Sequence, residues 1–248
     1  MTGKGVMNFP NGEYYEGSLQ NGKKHGEGKF IEANKDIYEG NWVDGLRDGH
    51  GVQVYHERGE KYDGQWKNQK KHGKGAYEYT NGDVYIGDWL DDQRTGFGEY
   101  RFADGDNYQG EFTNGKFCGR GRYVYSNSDT YEGEWNEDKR HGFGTMIYYN
   151  GDIYTGNWHD NLRHNKGTYR YFNGDRFEGE WYCDTKENEG KFYYTNGDLY
   201  VGPFKSNLKH GKGVYTFRDN ATWIGEFAED KKLGEGIMTY PDKKRQLL

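Results

Sequence analysis

Residues 131–144 read YEGEWNEDKRHGFG, and variants of this string recur along the chain of 248 residues. The pattern aromatic-x-Gly-x-aromatic begins at residues 15, 38, 62, 85, 108, 131, 154, 177, 200 and 223. Successive starts are 23 residues apart, except for one step of 24. A fixed period of this length indicates a repeat architecture, in which each copy is one supersecondary unit.

Within each copy the special residues recur at every second position, which is the period of a β-strand. Tyr131, Gly133 and Trp135 therefore share one face of a first strand, and Gly142 and Gly144 begin a second strand. Asn-Gly-Asp or a relative stands between most successive copies, and Asn-Gly is a strong signal for a tight hairpin turn. The sequence predicts an antiparallel meander of hairpins.

The alternation of rings with glycines suggests how such a sheet is stabilised. A glycine leaves a gap in the pleated surface, and a large ring on the neighbouring strand can cover it. We expect ring burial between adjacent copies to supply most of the stability, so a single copy does not fold alone.

The composition is unusual for an ordinary globular domain. Hydrophobic residues make up 32% of the chain and charged residues 30%, whereas aromatic residues reach 18% and glycines number 40. Rings bury large areas per residue, so a thin structure held by them is possible. The net charge of −6 provides no basic field for nucleic acid. Two cysteines, Cys118 and Cys183, are too few for a disulfide framework.

The unit Tyr-x-Gly-x-Trp, polar turn, Lys/Arg-His-Gly-x-Gly, aromatic strand and Asn-Gly-Asp resembles the MORN repeat (membrane occupation and recognition nexus), and residues 131–144 are a near-ideal copy. The resemblance covers Gly3 to Tyr240. It implies an all-β, single-layer, curved and grooved ribbon of about ten hairpin repeats. It also implies scaffolding in cilia, cytoskeletal assemblies or membrane junctions, and phosphoinositide binding is proposed for some members.

The predicted organisation is one array over residues 1–240, followed by a tail over 241–248. A half repeat occupies 1–14, and ten repeats start at the aromatic positions given above. We expect irregular structure between residues 165 and 203. Asn165 and Asn188 replace the first Gly of the Gly-x-Gly pair there, and Pro203 removes a backbone N–H from a first strand.

The leading functional hypothesis is a non-catalytic scaffold that holds protein partners, such as a radial spoke head protein of a ciliary axoneme. Rings anchor interfaces well. The predicted partner-binding residues are the rings of the aromatic face: Tyr38, Trp42, Tyr62, Trp66, Tyr85, Trp89, Tyr131, Trp135, Tyr154 and Trp158. Neither end shows a polar capping repeat, so we also expect a partner or a second copy to cover the sheet ends.

The alternative hypothesis is a membrane tether. Basic pairs recur in the turn within each repeat and would form a row along one sheet edge, where anionic lipids could bind. The candidate contacts are Lys23, Lys24, Lys70, Lys71, Lys139, Arg140, Lys231 and Lys232. Acidic residues such as Asp91, Asp92 and Asp138 share these turns and weaken the field, which favours the interpretation of solvated turns.

Enzymatic and metal functions rank last. His25, His72, His141 and His210 occupy one repeat position, so they line an edge instead of converging on a metal ion. No catalytic arrangement of nucleophile and base is discernible, and we expect no cofactor, small-molecule substrate or nucleic acid. No run reaches the length of about 20 apolar residues that spans a bilayer. The expected location is the cytoplasm, in association with the cytoskeleton of a cilium or flagellum.

Overall fold

The computed structural model of the chain describes residues 2–241 and 245–247. The chain divides into two compact units, with the boundary between Ser126 and Asn127. Nothing in the period of the repeats marks this division. All regular structure in the described residues is β-strand, which confirms the predicted all-β class.

Unit 1 contains eleven strands, each paired antiparallel with its neighbours in chain order. They are β1 (Thr2–Asn8), β2 (Tyr14–Gln20), β3 (Lys23–Ile31), β4 (Ile37–Val43), β5 (Leu46–Tyr55), β6 (Glu60–Lys67), β7 (Lys70–Glu78), β8 (Val84–Leu90), β9 (Gln93–Arg101), β10 (Asn107–Thr113) and β11 (Lys116–Val124).

Unit 2 continues the same pattern, except that one strand pairs with two consecutive short strands. Its strands are β12 (Thr130–Asn136), β13 (Lys139–Ile147), β14 (Ile153–His159), β15 (Leu162–Arg170), β16 (Arg176–Tyr182), β17 (Thr185–Tyr193), β18 (Leu199–Lys205), β19 (Leu208–Lys209), β20 (Gly211–Thr216), β21 (Thr222–Ala228), β22 (Lys231–Thr239) and β23 (Arg245–Leu247). β23 lies in the predicted tail, of which residues 242–244 and 248 are outside the described part.

The repeat that begins at β12 shows how each copy closes a hairpin. β12 has seven residues, a two-residue turn follows, and β13 has nine before a five-residue connection leads to β14. Both turn residues, Glu137 and Asp138, have positive φ, at 50° and 65°. Such a turn matches the twist of the flanking strands. Because each repeat contains two strands, equivalent residues of successive repeats lie on the same face of the sheet.

The rings and glycines pack as the sequence predicts. In the repeat that begins at Tyr131, a Cβ atom added to Gly144 would overlap the Tyr131 ring, and one added to Gly133 would meet the Tyr131 hydroxyl oxygen at 2.5 Å. The hydroxyl donates a hydrogen bond to the carbonyl oxygen of Glu134 at 2.9 Å. The Tyr131 ring also meets that of Trp158, from the next repeat, edge to face at 5.4 Å. The ring layer therefore closes one face of the sheet.

The prediction of irregular structure between residues 165 and 203 is wrong. Asn165 and Asn188 adopt φ of 54° and 56°, close to the 60° of Gly142, so asparagine reproduces the glycine conformation. Pro203 keeps its place in β18, opposite Glu189. The interruption falls on the partner strand, where His210 separates β19 from β20. Pro203 has no N–H to donate across this pair, and only the His210 N–H to Pro203 carbonyl bond, of 2.9 Å, remains.

Candidate functional site

The rings predicted to bind partners form the core of the sheet. Tyr131 and Tyr154 are 0% exposed and Trp135 is 6% exposed, and the other seven rings are buried to a similar degree. The prediction that they make up a docking face is therefore wrong. The glycines let the tyrosine rings lie against the backbone, and the tryptophan rings pack edge to face on the tyrosines, so the face is sealed. The ten rings that belong to the core and not to a docking face are Tyr38, Trp42, Tyr62, Trp66, Tyr85, Trp89, Tyr131, Trp135, Tyr154 and Trp158.

The two members of each basic pair have different environments. The first residue, Lys23, Lys70, Lys139 or Lys231, is exposed. The second residue turns onto the ring layer. Lys24 places its ammonium 4.0 Å from the Trp42 ring centroid, Lys71 lies 4.8 Å from that of Trp89, Arg140 4.5 Å from that of Trp158, and Lys232 4.8 Å from that of Trp223. The second members of the pairs cover the rings of the core through cation–π interactions.

This basic position recurs in almost every repeat, a pattern that the pairs alone did not show. The further cations that lie over rings of the core are Arg47, Arg94, Arg163, Lys186 and Lys209. Their regular spacing, equal to the period of the repeats, was the signal in the sequence. Phe117 replaces the cation in one repeat and stacks on Tyr108 with centroids 3.8 Å apart. Burial lowers the pKa of Lys186 to about 8 and outweighs the opposing effect of Asp230.

The Asp of the Asn-Gly-Asp connection joins one repeat to the next. Asp152 accepts the Phe172 N–H at 2.7 Å and the Tyr169 hydroxyl at 2.8 Å, and the Asn150 amide also donates to it. Asp198 makes the equivalent bonds with Arg218 and Tyr215. In the sequence these positions are recognisable only as turn signals. Their role is structural, because they satisfy groups of the following repeat.

The face of the sheet opposite the ring layer is open. Along its middle runs bare backbone at a row of glycines, whose side-chain positions point to the ring layer, and on each strand one side chain stands on either side of it. In unit 2 this arrangement forms a groove of 770 Å³ that extends from β13 to β18. Its floor is Gly156, Gly167, Gly179 and Gly190. One wall is Thr155, Thr168, Glu178, Lys191 and Val201, and the other is Phe143, Asn157, Lys166, Glu180 and Glu189.

Phe143 is the most apolar feature of this groove. It stands at one end on β13 and is 55% exposed, although a phenyl ring favours burial. Its backbone N–H is held by the carboxylate of Glu134 at 3.1 Å, across a bulge at Gly142. The bulge therefore fixes the position of an exposed ring beside the groove.

The charged walls of the groove are partly neutralised. Glu178 pairs with Arg176 at 3.2 Å, and Glu180 accepts the Asn188 amide at 2.9 Å. Lys166 lies opposite Glu180, and Lys191 opposite Glu178. Glu189 lies opposite Pro203, and its carboxylate makes no hydrogen bond or ion pair with any residue that the structure describes.

Unit 1 has grooves of the same construction on its open face. One of 820 Å³ runs from β1 to β5, with walls that include Glu16, Glu27 and Lys29. A smaller one of 340 Å³ lies beside Ile86 and Phe97, which are 41% and 61% exposed. Exposed apolar side chains therefore recur on the open face in both units.

Three of the four histidines at the repeated position, His25, His72 and His141, each lie within 4.0 Å of an acid of the next turn. His25 lies 3.9 Å from Asp44 and His141 lies 3.9 Å from Asp160. Within residues 2–241 and 245–247, no three or more His, Cys, Asp or Glu side chains converge as metal ligands. The same residues contain no helix with the length and apolarity to cross a membrane.

Comparison with known proteins adds the family. The profile described as "MORN repeat" matches residues 1–14, 15–36, 38–57, 62–84, 85–107, 108–130, 131–153, 154–176, 177–199, 200–222 and 223–245. Alsin from Rattus norvegicus and from Homo sapiens are each 38% identical over 58 residues, which is 21% of this chain and 4% of Alsin. The matched segment is thus a small part of those relatives.

Solved structures are less similar. The SAS-4 (dCPAP) TCP domain of Drosophila melanogaster, in complex with a proline-rich motif of Ana2, is 13% identical with a TM-score of 0.42, over 61% of this chain and 83% of that one. The TCP10 domain of Danio rerio CPAP, with a STIL peptide, is 10% identical with a TM-score of 0.41, over 97% and 99%. Likenesses this weak do not indicate a shared function. The family profile, by contrast, accounts for nearly every residue of the meander, and the chain belongs to the MORN-repeat family.

Proposed function

We propose that this chain is a non-catalytic scaffold that binds a protein partner in the groove on the open face of unit 2. The observation that carries the proposal is Phe143, an exposed ring held in place at one end of a 770 Å³ groove. An exposed aromatic side chain buries a large area when a partner covers it and so anchors an interface. The sealed ring layer on the other face supports the groove without taking part in contact.

The test is capture of partners by the full chain, with two variants that differ in one respect. Phe143→Ser removes the ring in the groove, and Tyr149→Ser removes a ring that is 79% exposed on a turn outside it. We expect Phe143→Ser to lose proteins that the wild type and Tyr149→Ser both retain. Equal capture by all three chains would contradict binding in this groove.

A membrane tether is the second candidate, supported by the exposure of Lys23, Lys70, Lys139 and Lys231. Lys139, however, pairs with Asp160 at 3.1 Å, which neutralises part of the row. Co-sedimentation with phosphatidylcholine vesicles, with and without phosphatidylserine, measures this activity. Binding that needs the anionic lipid, weakens with salt and disappears when the four lysines become glutamate would support a tether.

The proposed setting is a ciliary axoneme, for instance a radial spoke, or another cytoskeletal assembly. Its support is the resemblance to MORN proteins that act as scaffolds there. We also propose that the chain self-associates through the ends of the sheet. A fluorescent fusion of the full chain in a ciliated cell tests the setting, and a diffuse signal that excludes cilia and cytoskeleton would contradict it.

A further inference from the structure

Three histidine rings of unit 2 stand in a row at the sheet edge that carries the turns within repeats. The row consists of His141 on β13, His159 on β14 and His164 on β15. The ring centroids of His141 and His159 are 5.0 Å apart, and those of His159 and His164 are 5.6 Å apart. Three neighbouring strands thus each contribute an imidazole, which is the commonest metal ligand among side chains.

His141 and His159 lie opposite each other on paired strands. Gly142 pairs with Trp158, so the next positions towards the turns are His141 and His159. Their chain neighbours Arg140 and Trp158 meet in the ring layer, and both imidazoles therefore stand on the open face. The His141 side chain is 38% exposed and His159 is exposed, so a dissolved ion can reach the pair.

The spacing of this pair suits a shared metal ion. Zn²⁺ lies about 2.0–2.1 Å from an imidazole nitrogen and therefore about 3.2 Å from the ring centroid. Two imidazoles on one ion have centroids about 4.5 Å apart at a ligand angle of 90° and about 5.2 Å apart at the tetrahedral angle. The 5.0 Å between His141 and His159 falls within this range, whereas the 5.6 Å between His159 and His164 exceeds it.

The surroundings of His141 leave its outer nitrogen for the ion. The Nδ1 atom is buried, lies 3.9 Å from the Asp160 carboxylate and has no hydrogen-bond partner among the described residues. A carboxylate behind the ring is typical of metal-binding histidines, because it orients the imidazole with Nε2 free. The hydrogen bond from Lys139, with smaller effects of His159 and His141, lowers the pKa of Asp160. Its negative charge favours a cation at the pair.

We propose that His141 and His159 bind one divalent transition-metal ion of the kind that imidazole prefers, such as Zn²⁺ or Cu²⁺, with water completing its coordination. The ion joins β13, the second strand of one repeat, to β14, the first strand of the next. Two opposed imidazoles are the requirement, and a single histidine at the repeated position does not meet it.

His72 provides the matched control within the chain. It occupies the same repeat position as His141 and lies 4.0 Å from Asp91, and its Nδ1 atom is likewise buried without a hydrogen-bond partner among the described residues. In the register of β7 with β8, the residue opposite His72 is Leu90. His72 therefore has the environment of His141 but lacks the second imidazole.

The experiment titrates Zn²⁺ into the full chain, prepared without a histidine tag, and measures the heat of binding by calorimetry. The chains compared are the wild type, His141→Ala, His159→Ala, His72→Ala and Cys183→Ser, the last of which removes an exposed thiol with its own affinity for Zn²⁺. Melting temperatures of the metal-free chains establish that each variant folds.

We expect the wild type to bind one ion. The affinity should fall at least tenfold with His141→Ala and with His159→Ala, and stay unchanged with His72→Ala and Cys183→Ser. Electron paramagnetic resonance of the Cu²⁺ complex should show two nitrogen ligands in the wild type.

A gain of binding tests the same geometry in unit 1. Leu90→His places an imidazole opposite His72, and we expect the stoichiometry to rise from one ion to two. A stoichiometry that stays at one would contradict the claim that an opposed pair is sufficient.

Two further results would overturn the site. Equal affinity of the wild type and His159→Ala would show that the pair does not hold the ion. A tenfold loss with Cys183→Ser or with His72→Ala would place the ion at the thiol or at another histidine.

Discussion

Trp158 donates its indole N–H to the carbonyl oxygen of Gly144 at 3.3 Å, so a ring of one repeat is bonded to the glycine that the preceding repeat covers with Tyr131. We expect Gly144→Val to destabilise unit 2 by about 2–3 kcal/mol or to prevent its folding, because a branched side chain would occupy the space of the Tyr131 ring. Urea denaturation followed by circular dichroism measures the effect. Lys139→Ala, at an exposed position, should stay within about 0.5 kcal/mol, and equal losses for both would contradict this packing.

Asp152 should be a strong point of attachment between repeats. Asp152→Ala leaves the Phe172 N–H and the Tyr169 hydroxyl without their acceptor, and we expect a loss of about 1–3 kcal/mol in unfolding free energy. Ala221 stands at the same repeat position as a natural control. The residues that correspond to Tyr169 and Phe172 there are Met238, which has no hydroxyl, and Pro241, which has no backbone N–H to donate. Ala221→Asp should therefore destabilise the chain, and a gain in stability there would refute the proposed role.

The pH dependence of stability has opposite signs at the two extremes. The hydrogen bond from Tyr215 lowers the pKa of Asp198 below its ordinary value of 3.8, with further lowering by the Arg218 and Asn196 bonds. This contribution is complete above pH 3.8 and is lost as the pH falls through the lower, folded value. Burial raises the pKa of Tyr171 to about 12. That contribution is complete below pH 10 and is lost as the pH rises through about 12.

Denaturation curves at pH 2–6 and pH 9–12 test both signs. Asp198→Asn should reduce the decline on the acidic side while leaving the alkaline side unchanged. A wild-type stability that stays flat below pH 3.8 would contradict the role of the connection aspartates.

One connection can be improved. Ser128 has φ of 74° at the position where most connections have glycine, and a side chain is unfavourable in that conformation. We expect Ser128→Gly to stabilise unit 2 by about 0.5–1 kcal/mol. The matched control is Gly12→Ala, where φ is 87° and a Cβ atom would meet nothing within 4 Å. The only new cost there is that of a side chain at positive φ, so we expect Gly12→Ala to lower the stability by a similar amount. Melting temperatures that shift in the same direction for Ser128→Gly and Gly12→Ala would contradict this explanation.

The sequence was sufficient for the fold because two periods agree. The alternation at every second residue predicts strands, and the constant interval between copies predicts hairpins of constant size. The sequence also identified the rings as special, but it assigned them to a docking face. Whether Tyr38 or Trp42 is exposed depends on how closely rings of neighbouring repeats pack over glycine, which only the structure reveals.

The groove shows the same limit. Its elements, such as Lys166-Gly167-Thr168, are visible in the sequence as Gly with polar neighbours, and they read as solvated strand positions. Their alignment into two walls depends on the register of successive strands. The register also decides that Glu189 faces Pro203 while Lys166 faces Glu180. One-dimensional patterns do not give these pairings until the bulges, such as that at Gly142, are placed.

The bonds from Asp152 and Trp158 each reach only the adjoining copy. A duplication or deletion of one whole repeat would therefore rejoin equivalent surfaces, and length can vary during evolution in whole steps of one hairpin. A deletion that stops a single residue short of a repeat would reverse the two sides of every later strand, exposing rings and burying charge. The number of repeats can therefore change during evolution, whereas the length of each repeat is constrained.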